Sequence, residues 1–278
     1  VGDLTYPYES LNGDLQNIKD IVEDNHKISN LIIKAKKPMI ILGQSVFKSD
    51  SAKFIFESLK SYLLKKQKIS KEWNSLNIIS DNASTVGSFD LGLYKTEDGS
   101  NEILKALENH KFEIVYLLGQ DNLKFKKENE FIIYQGSHGD RGAEIADIIL
   151  PGSAYTEQNG YYVNLEGKLQ KAYKASYPPG DAKEDWQILN EIAEIMNHRK
   201  LFNDKEELDS SLINQINLFI DKNNSKDFSQ IDNLEFKKEI LNINSLDYYY
   251  SNVIARASKT MFECKNSKFN LKSTGTEG

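Results

Sequence analysis

Four short, mainly apolar runs constrain the fold of this chain more than any other feature of its sequence. They are MIIL (39–42), LNII (76–79), EIVYLL (113–118) and FIIY (131–134). Each has the length of a strand and falls far below the roughly 20 residues that a helix needs to cross a bilayer. Continuous apolar strands that alternate with amphipathic helices are typical of a parallel sheet with both faces covered. We therefore predict an α/β fold with a doubly wound, mainly parallel sheet.

The pattern changes along the chain and predicts three regions. Residues 1–35 form an N-terminal helical lead-in, in which Asp14 precedes an amphipathic helix. Residues 36–200 form a Rossmann-like α/β domain that contains all four apolar runs. Residues 201–278 form a helical and irregular C-terminal extension, with a solvated linker at 222–230.

Two helices of the second half are predicted from the residues at their starts. Asp181 with Glu184, and Asp204 with Glu207, have the spacing of a capping box. The apolar residues that we expect the first of these helices to bury are Trp186, Leu189, Ala193 and Met196.

Composition excludes several function classes. The net charge of −6 and the pI of about 5.4 give no support for nucleic-acid binding. Cys264 is the single cysteine of the 278 residues, so no disulfide can form within the chain. Nor can an iron–sulfur cluster or a zinc site be built here from cysteines.

Glycines follow three of the strand-like runs, at Gly43, Gly119 and Gly136. Ligands of open parallel sheets sit at such carboxyl ends of strands, which makes nucleotide binding one hypothesis. The dinucleotide fingerprint G-x-G-x-x-G is absent after the first run, where the sequence is LGQSVF, and there is no Walker motif. A turn requirement for glycine explains these positions more simply.

The loop YQGSHGDRG (134–142) combines glycines with the residue types of an acid–base site. His138, Asp140 and Arg141 are candidates for that chemistry, and Ser137 is a candidate nucleophile. No G-x-S-x-G elbow surrounds the serine, and loop neighbours seldom face one another. We therefore predict a structural turn in which the histidine forms a hydrogen-bonded clasp.

The remaining chemically versatile residues are scattered. We expect His26, His110 and His198 to lie at helix ends, without metal-ligand spacing. Capping or surface roles are the favoured interpretation of three acidic candidates, Asp147, Glu157 and Glu166. The tyrosine clusters Tyr161–Tyr162 and Tyr248–Tyr250 are expected to stack against core or a partner surface. Residue chemistry alone thus predicts no catalytic, cofactor-binding or metal-binding residue, and favours a scaffold or partner-binding role.

A longer segment carries a family resemblance. ADIILPGSAYTEQNGYYVNLEGKLQK (146–171) resembles the molybdopterin oxidoreductase pattern AD-x-x-LP…E…G-x-x-x-N-x-EG-R-x-Q. With the preceding loop it is similar, more specifically, to the family of the large iron–sulfur subunit of respiratory complex I, the G subunit of NADH-quinone oxidoreductase. Three further stretches fit the same family: 35–45, 178–195 and 251–264.

The resemblance implies a role, with two departures from the family pattern. Lys168 stands where many relatives have arginine, and the N-terminal region with the cluster-binding cysteines is not in this sequence. We therefore expect the chain to be the C-terminal portion of the subunit, structural and without a bound cofactor. Iron–sulfur clusters and FMN are expected elsewhere in the complex. The chain would act only as part of NADH:ubiquinone oxidoreductase, being itself non-catalytic.

Partners and location follow from the same resemblance. The expected partners are the N-terminal iron–sulfur portion of the subunit and other peripheral-arm subunits, with no nucleic acid and no direct membrane span. The tail resemblance and a lysine-, asparagine- and isoleucine-rich composition favour the matrix side of the mitochondrial inner membrane over a bacterial plasma membrane.

Two alternatives stay open at this point. In the first, the chain is part of a molybdenum or tungsten pterin-dependent oxidoreductase, such as a formate dehydrogenase. The other is a free-standing nucleotide-binding module.

Overall fold

The computed structural model of the chain describes residues 7–70, 72–93, 100–120, 126–224, 234–241 and 247–271. The chain divides into two compact units, each built from separate segments. The first unit consists of Val1–Val86, Asn164–Lys168 and Asn224–Ser245. The second consists of Gly87–Val163, Leu169–Asn223 and Leu246–Gly278. The three-region division expected from the sequence remains a prediction.

Helices and strands alternate through the first two thirds of the chain, and helices follow. Up to residue 118 the elements are α1 (Gln16–Val22), α2 (Lys27–Lys34), β1 (Ile40–Gly43), α3 (Ala52–Lys65), β2 (Leu76–Ile79), α4 (Thr85–Asp90), α5 (Ser100–Glu108) and β3 (Ile114–Leu118). The next are β4 (Phe131–Gly136), α6 (Arg141–Ile145), β5 (Ile148–Pro151), β6 (Gly160–Val163) and β7 (Leu169–Ala172). The last are α7 (Asp185–Asn197), α8 (Lys205–Asn224), α9 (Val253–Ala257) and α10 (Lys259–Leu271).

Parallel pairing dominates the strands. In the first unit β1 pairs with β2 from Ile40↔Leu76 to Gly43↔Ile79. In the second unit β4 lies between β3 and β5 and is parallel to both. Only the hairpin of β6 and β7 is antiparallel among the described strands. The predicted α/β content and parallel pairing are therefore confirmed, and all four apolar runs form strands.

Helix α3 supplies the core of the first unit because its apolar residues share one face. Ile55, Leu59 and Leu63 are buried together with Leu42 of β1 and Leu76 of β2. This is the helical spacing expected from the sequence. A buried tyrosine on the same helix, Tyr62, donates its hydroxyl to Asp24 Oδ1 at 3.0 Å. Burial, together with that bond, raises the pKa of Tyr62 to about 12.

Strand β4 forms the centre of the second unit's core. Ile132 and Tyr134 are buried with Leu107 of α5 and Leu117 of β3. Alternate residues of a strand point to one face, so Ile132 and Tyr134 project to the same side. Their packing fixes the register of the residues that follow at the end of the strand.

The start and the buried face of α7 differ from the prediction. The capping box is formed by Glu184 and Gln187 rather than by Asp181 and Glu184. The helix buries Ile188, Asn190 and Ala193, whereas Met196, expected in the core, is 73% exposed.

The physical reason is a polar anchor in the middle of the helix. Asn190 Oδ1 accepts the N–H groups of Leu201 at 2.7 Å and Phe202 at 3.0 Å, and its amide donates to Phe202 O. A buried amide must keep its hydrogen bonds, so this anchor decides which face turns inward.

Other parts of the expected organisation are placed as follows. Asp204 Oδ1 accepts the N–H of Glu207 at 2.8 Å, as its predicted capping role requires. Of the expected linker at 222–230, residues 225–230 lie outside the described residues. Within the described part of the chain, no helix combines the length and apolar character that a membrane crossing needs.

Replacing Ile132 by alanine tests the importance of β4 for the core. Ile132 is fully buried, so Ile132→Ala is expected to lower the free energy of unfolding by about 2–5 kcal/mol. Ile149 lies on the paired strand β5 but is 54% exposed, so Ile149→Ala is expected to change it by only about 0.5 kcal/mol. Denaturant unfolding followed by circular dichroism measures both. Equal losses would contradict a core centred on β4.

Candidate functional site

The candidate site is the edge of the second unit's sheet at the carboxyl ends of β3, β4 and β5. Gly119 directly follows β3 and Gly136 ends the adjacent strand β4, whereas Gly43 ends β1 in the first unit. Backbone hydrogen bonds continue past the strands: Gly119 N–H donates to Gln135 O at 2.8 Å and Gly152 N–H to Gly136 O at 3.0 Å. The three strand ends therefore hold one another through their backbones.

The loop from β4 to α6 folds tightly over one buried tyrosine. Tyr134 Oη donates to the backbone oxygen of His138 at 3.1 Å. A Cβ on Gly136 would overlap the Tyr134 hydroxyl. A Cβ on Gly142 would lie 2.8 Å from the Tyr134 ring and 2.9 Å from Gln120 O. Two of the loop's glycines are thus required by close packing, and a purely structural role of the loop stays a prediction.

Asp140 closes the loop from its other side. Its Oδ1 accepts the N–H of Arg141 at 2.8 Å at the start of α6, and its Oδ2 lies 2.7 Å from Arg256 Nε. Burial opposes ionisation of Asp140, but the bonds from Arg256 and from the Arg141 N–H hold its pKa below the usual value. The carboxylate thus serves as a fixed anion that joins the loop to α9.

The candidate acid–base residues are only partly brought together. Ser137 Oγ lies 2.9 Å from His138 Nδ1, so these neighbours do face each other, contrary to the expectation. Among the described residues, no carboxylate bonds the other ring nitrogen of His138. Asp140 bonds to Arg256 instead, and the Arg141 side chain is exposed. The loop therefore lacks, among the described residues, the orienting acid that a serine–histidine nucleophile needs.

A polar network fills the strand ends beside this loop. The Tyr116 hydroxyl donates to Gln135 Oε1, and Gln135 Nε2 donates to Asp185 Oδ1 at 2.8 Å. Gln158 Nε2 donates to the other carboxylate oxygen of Asp185 at 3.2 Å. Gln135 is fully buried, and a Cβ on Gly152 would lie 2.9 Å from Asp185 Oδ1. Burial, with a smaller contribution from the charge of Asp185, raises the pKa of Tyr116.

This network decides what the edge can bind. A cofactor with several phosphates favours backbone N–H groups and cationic side chains at the strand ends. Gln135 and Asp185 occupy that position here, and Asp185 adds negative charge. The residues present therefore do not fit a phosphate-bearing pterin dinucleotide at this edge.

The acidic residues of the 146–171 segment support the backbone. Asp147 Oδ2 accepts the N–H of Ile132 at 2.7 Å, while Asp147 N–H donates to Ile132 O at 2.8 Å. Its other oxygen lies 2.6 Å from Lys127 Nζ, and these bonds, led by that of Lys127, lower the pKa of Asp147. Glu157 Oε2 accepts the N–H of Ala154 at 2.9 Å.

The turn between β6 and β7 uses the same kind of contact. Asn164 Oδ1 accepts the N–H groups of Glu166 at 3.0 Å and Lys168 at 2.9 Å. Gly167 between them has a φ of 78°, a left-handed conformation that suits glycine. The side chain of Glu166 is exposed.

The histidines lie at helix ends, as predicted. His26 Nδ1 accepts the N–H of Ile28 at the start of α2, and His198 ends α7 with a φ of 54°. His110 follows α5 and places Nδ1 2.7 Å from Glu130 Oε1. In the described segments, no three His, Cys, Asp or Glu side chains are grouped so that they could hold a metal ion.

The cysteine and the tyrosine clusters occupy three different environments. Cys264 is exposed on α10. The Tyr161 hydroxyl lies 3.3 Å from Asp209 Oδ2, while Tyr248 is exposed and packs edge-on against the Tyr249 ring. The expectation of a partner surface at Tyr248 remains a prediction.

Sequence reasoning missed the residues that define this edge. Gln135 extends an apolar run by one polar position, a weak signal for a buried amide. Its partner Asp185 lies 50 residues later, at the start of a helix predicted to begin with other residues. Arg256 meets Asp140 across 116 residues, a pairing that spacing cannot reveal.

Comparison with known proteins defines the family. The molybdopterin oxidoreductase family model matches residues 1–195, and the chain belongs to that family. It is 37% identical over 272 residues to the NADH-ubiquinone oxidoreductase 75 kDa subunit of Reclinomonas americana, a match that covers 95% of this chain. It is also 37% identical over 277 residues to the NADH-quinone oxidoreductase G subunit of Rickettsia bellii (strain RML369-C), a match that covers 98% of this chain. The chain spans 39% of the length of each relative. The resemblance to the large iron–sulfur subunit of NADH-quinone oxidoreductase is therefore confirmed.

The packing around Tyr134 predicts an unusual effect of a glycine substitution in a helix. Glycine to alanine inside a helix normally stabilises by up to about 1 kcal/mol. Gly142→Ala is instead expected to destabilise by about 1–3 kcal/mol, because the new methyl group would meet a ring and a backbone oxygen. The control Gly139→Ala adds a methyl group to open space and should change stability by about 0.5 kcal/mol at most. Thermal unfolding of both variants measures these changes. A stabilised Gly142→Ala protein would contradict the close packing of Gly142 against Tyr134 and Gln120.

The Asp147 contacts predict a pH-dependent effect on stability. The folded pKa of Asp147 lies below its unfolded value of about 4, so the ionised group stabilises the folded state above that pH. The contribution is lost as pH falls through the folded pKa. Wild type should therefore exceed Asp147→Asn in stability at pH 7, and the difference should shrink below about pH 4.

Thermal unfolding of both proteins from pH 7 to pH 2.5 measures this difference. The exposed Asp181, whose side chain has no bonding partner among the described residues, provides the control variant Asp181→Asn. A stability difference for Asp147→Asn that stayed constant across the range would be inconsistent with the ionic contact.

Proposed function

We propose that the chain is a structural, cofactor-free C-terminal portion of the large iron–sulfur subunit of NADH:quinone oxidoreductase, respiratory complex I. The carrying observation is the 37% identity to the 75 kDa subunit and to its bacterial counterpart, the G subunit, over 95–98% of this chain. In this role the chain supports electron transfer from NADH to quinone without moving electrons itself. The iron–sulfur clusters and FMN belong to other parts of the complex.

The closed strand ends support the cofactor-free part of the proposal. Gln135 and Asp185 bond each other where an open α/β sheet would admit a ligand. Tyr116 and Gln158 complete the hydrogen bonds of that pair. A network whose groups satisfy one another stabilises the fold and leaves few donors for a ligand.

An uncovered sheet face supports a partner role. Parallel strands are normally buried on both faces, and Leu42 and Leu76 are buried on one face of β1 and β2. On the opposite face Ile41 is 51% exposed and Ile79 47% exposed. We assign the cover of this face to the N-terminal iron–sulfur portion of the subunit, with other peripheral-arm subunits as further partners.

The finer features of fold and location form part of the same proposal. The parallel strands correspond to a doubly wound sheet in the intact subunit, and residues 201–278 form a helical and irregular C-terminal extension. The chain acts on the matrix side of the mitochondrial inner membrane, with the cytoplasmic side of a bacterial membrane as the alternative. The formate dehydrogenase alternative is not favoured, because the relatives are NADH-quinone oxidoreductase subunits.

Native electrophoresis of detergent-solubilised membranes tests the proposal. The gel is stained for NADH dehydrogenase activity and probed with an antibody against residues 259–267 of α10, most of which are exposed. We expect the antibody signal to coincide with a very large NADH-active band. A signal confined to a smaller, NADH-inactive species would contradict assembly into complex I.

Metal analysis of the same band separates the cofactor-free role from a pterin-dependent one. Iron is expected from the clusters of the complex, whereas molybdenum and tungsten are expected well below one atom per chain. Either metal at about one atom per chain, co-purifying with this chain, would overturn the cofactor-free assignment. Purified membranes supplemented with a known molybdoenzyme serve as the positive control for recovery of the metal.

A further inference from the structure

A short segment late in the chain lies on the first unit and forms a single β-bridge with it. This segment, FKKEIL at residues 236–241, is called the strap below. The strap belongs to no helix or multi-residue strand, yet Phe236 and Leu241 pack against the hydrophobic core of the first unit. Its contacts have the form of a bound peptide rather than of a surface loop.

The strap's backbone bonds recur at every second residue. Ser51 Oγ donates to Lys237 O at 3.0 Å and accepts Lys237 N–H at 3.0 Å. Leu15 N–H donates to Glu239 O at 3.1 Å, and Leu241 N–H donates to Gly13 O at 2.9 Å. The last two bonds flank an antiparallel bridge at Asp14 and Ile240. The bonds at residues 239 and 241 have the pattern of an antiparallel strand pair, while at Lys237 the Ser51 hydroxyl takes the place of a partner backbone.

Three side chains of the strap make specific contacts, one of them an exposed ion pair between Lys237 Nζ and Asp50 Oδ2 at 3.2 Å. The Phe236 ring lies 4.9 Å from the Phe54 ring, and Lys19 Nζ lies 5.2 Å from the Phe236 ring centre. Glu239 Oε1 accepts the Ser49 hydroxyl and, at 3.3 Å, the N–H of Ser51. Both contacts of Glu239 lie just before α3, where a carboxylate also interacts favourably with the helix dipole.

The receiving surface depends on these contacts. Ser51 is fully buried and Leu15 is nearly so. The Leu15 N–H bonds Glu239 O, so removal of the strap leaves this donor to find another partner. By contrast Lys238 is exposed and the Ile240 side chain is 67% exposed. The residues that the surface recognises are therefore Phe236, Glu239 and Leu241, with an exposed contribution from Lys237, whereas positions 238 and 240 are free to vary.

We propose that residues 13–15 and 49–54 form a peptide-docking groove of the β-addition type, and that the strap is its intrachain ligand. The groove binds the strap through recognition of sequence and backbone, so the same peptide supplied as a separate molecule occupies it when the intrachain strap is weakened. The proposal is independent of the function assigned above. It rests only on contacts between the strap and other residues of the first unit, and not on the comparison with known proteins.

The test uses the full chain and a fluorescent synthetic peptide of residues 234–241. In wild type the intrachain strap competes at an effective concentration of about millimolar, so the peptide should bind weakly. The variant Phe236→Ala/Glu239→Ala weakens the strap, and its apparent affinity for the peptide should rise at least tenfold. Fluorescence anisotropy measures both. Equal affinity of the two chains would overturn the proposal.

Matched peptides test the recognition pattern on the same variant chain. A peptide with Lys238→Ala should bind as the parent does, because Lys238 is exposed. Peptides with Phe236→Ala or Glu239→Ala should each lose at least fivefold in affinity. Loss caused equally by all three substitutions would show non-specific binding and refute the groove.

Hydrogen exchange in the wild-type chain tests whether the strap is bound to the groove, even if the double variant does not fold. The N–H groups of Lys237 and Leu241 are bonded, so their exchange should be at least tenfold slower than that of Lys238 and Ile240. Residue-resolved mass spectrometry after deuterium labelling reads this alternation. Uniformly fast exchange across residues 236–241 would overturn the proposal.

Discussion

Close packing at the end of β4 is the constraint on which the second unit depends. Tyr134 is buried directly before the loop, and its ring is enclosed by the backbone of Gly136 and Gly142. The next residue, Gln135, points to the other face and holds Asp185. Since successive residues of a strand alternate between faces, a shift of one residue in β4 would exchange these two roles. The strand register, the glycine loop and the polar network are therefore a single structural solution.

How much of this can be predicted from the sequence depends on the range of the interactions. Apolar runs predict the strands and the α3 face because strand and helix periodicity are local properties, as at Ile55 and Leu59. The inward face of α7 is set by the bonds of Asn190 to Leu201 and Phe202, and amphipathic spacing alone placed Met196 inside. A buried polar residue such as Asn190 is absent from an apolar pattern. A prediction from periodicity alone therefore assigns the wrong face of the helix to the core.

The edge of the sheet shows the same limit more sharply. The loop at 134–142 has a composition that suggests chemistry, and the sequence analysis favoured a structural turn, which stays a prediction. It did not find Asp185 or Arg256, because each meets its partner only after the chain has folded. The Ser137–His138 contact also arose against expectation, from the tight curvature that Tyr134 imposes on the loop. Residues that pair over a long sequence separation have no characteristic spacing, so the sequence does not reveal them. The glycines of the loop, by contrast, can be identified directly from the sequence.

A family motif can indicate the fold of a protein without indicating which cofactor the protein binds. In the segment 146–171, Asp147 bonds the backbone of β4, Glu157 bonds Ala154, and Asn164 bonds the turn of the hairpin. These contacts are needed wherever the backbone takes this course, with or without a cofactor at the strand ends. The motif therefore supports membership in the molybdopterin oxidoreductase family and is silent on pterin binding. The residues that bear on ligand binding lie outside it, at Gln135 and Asp185, which bond each other at the sheet edge and leave few free hydrogen-bond donors there.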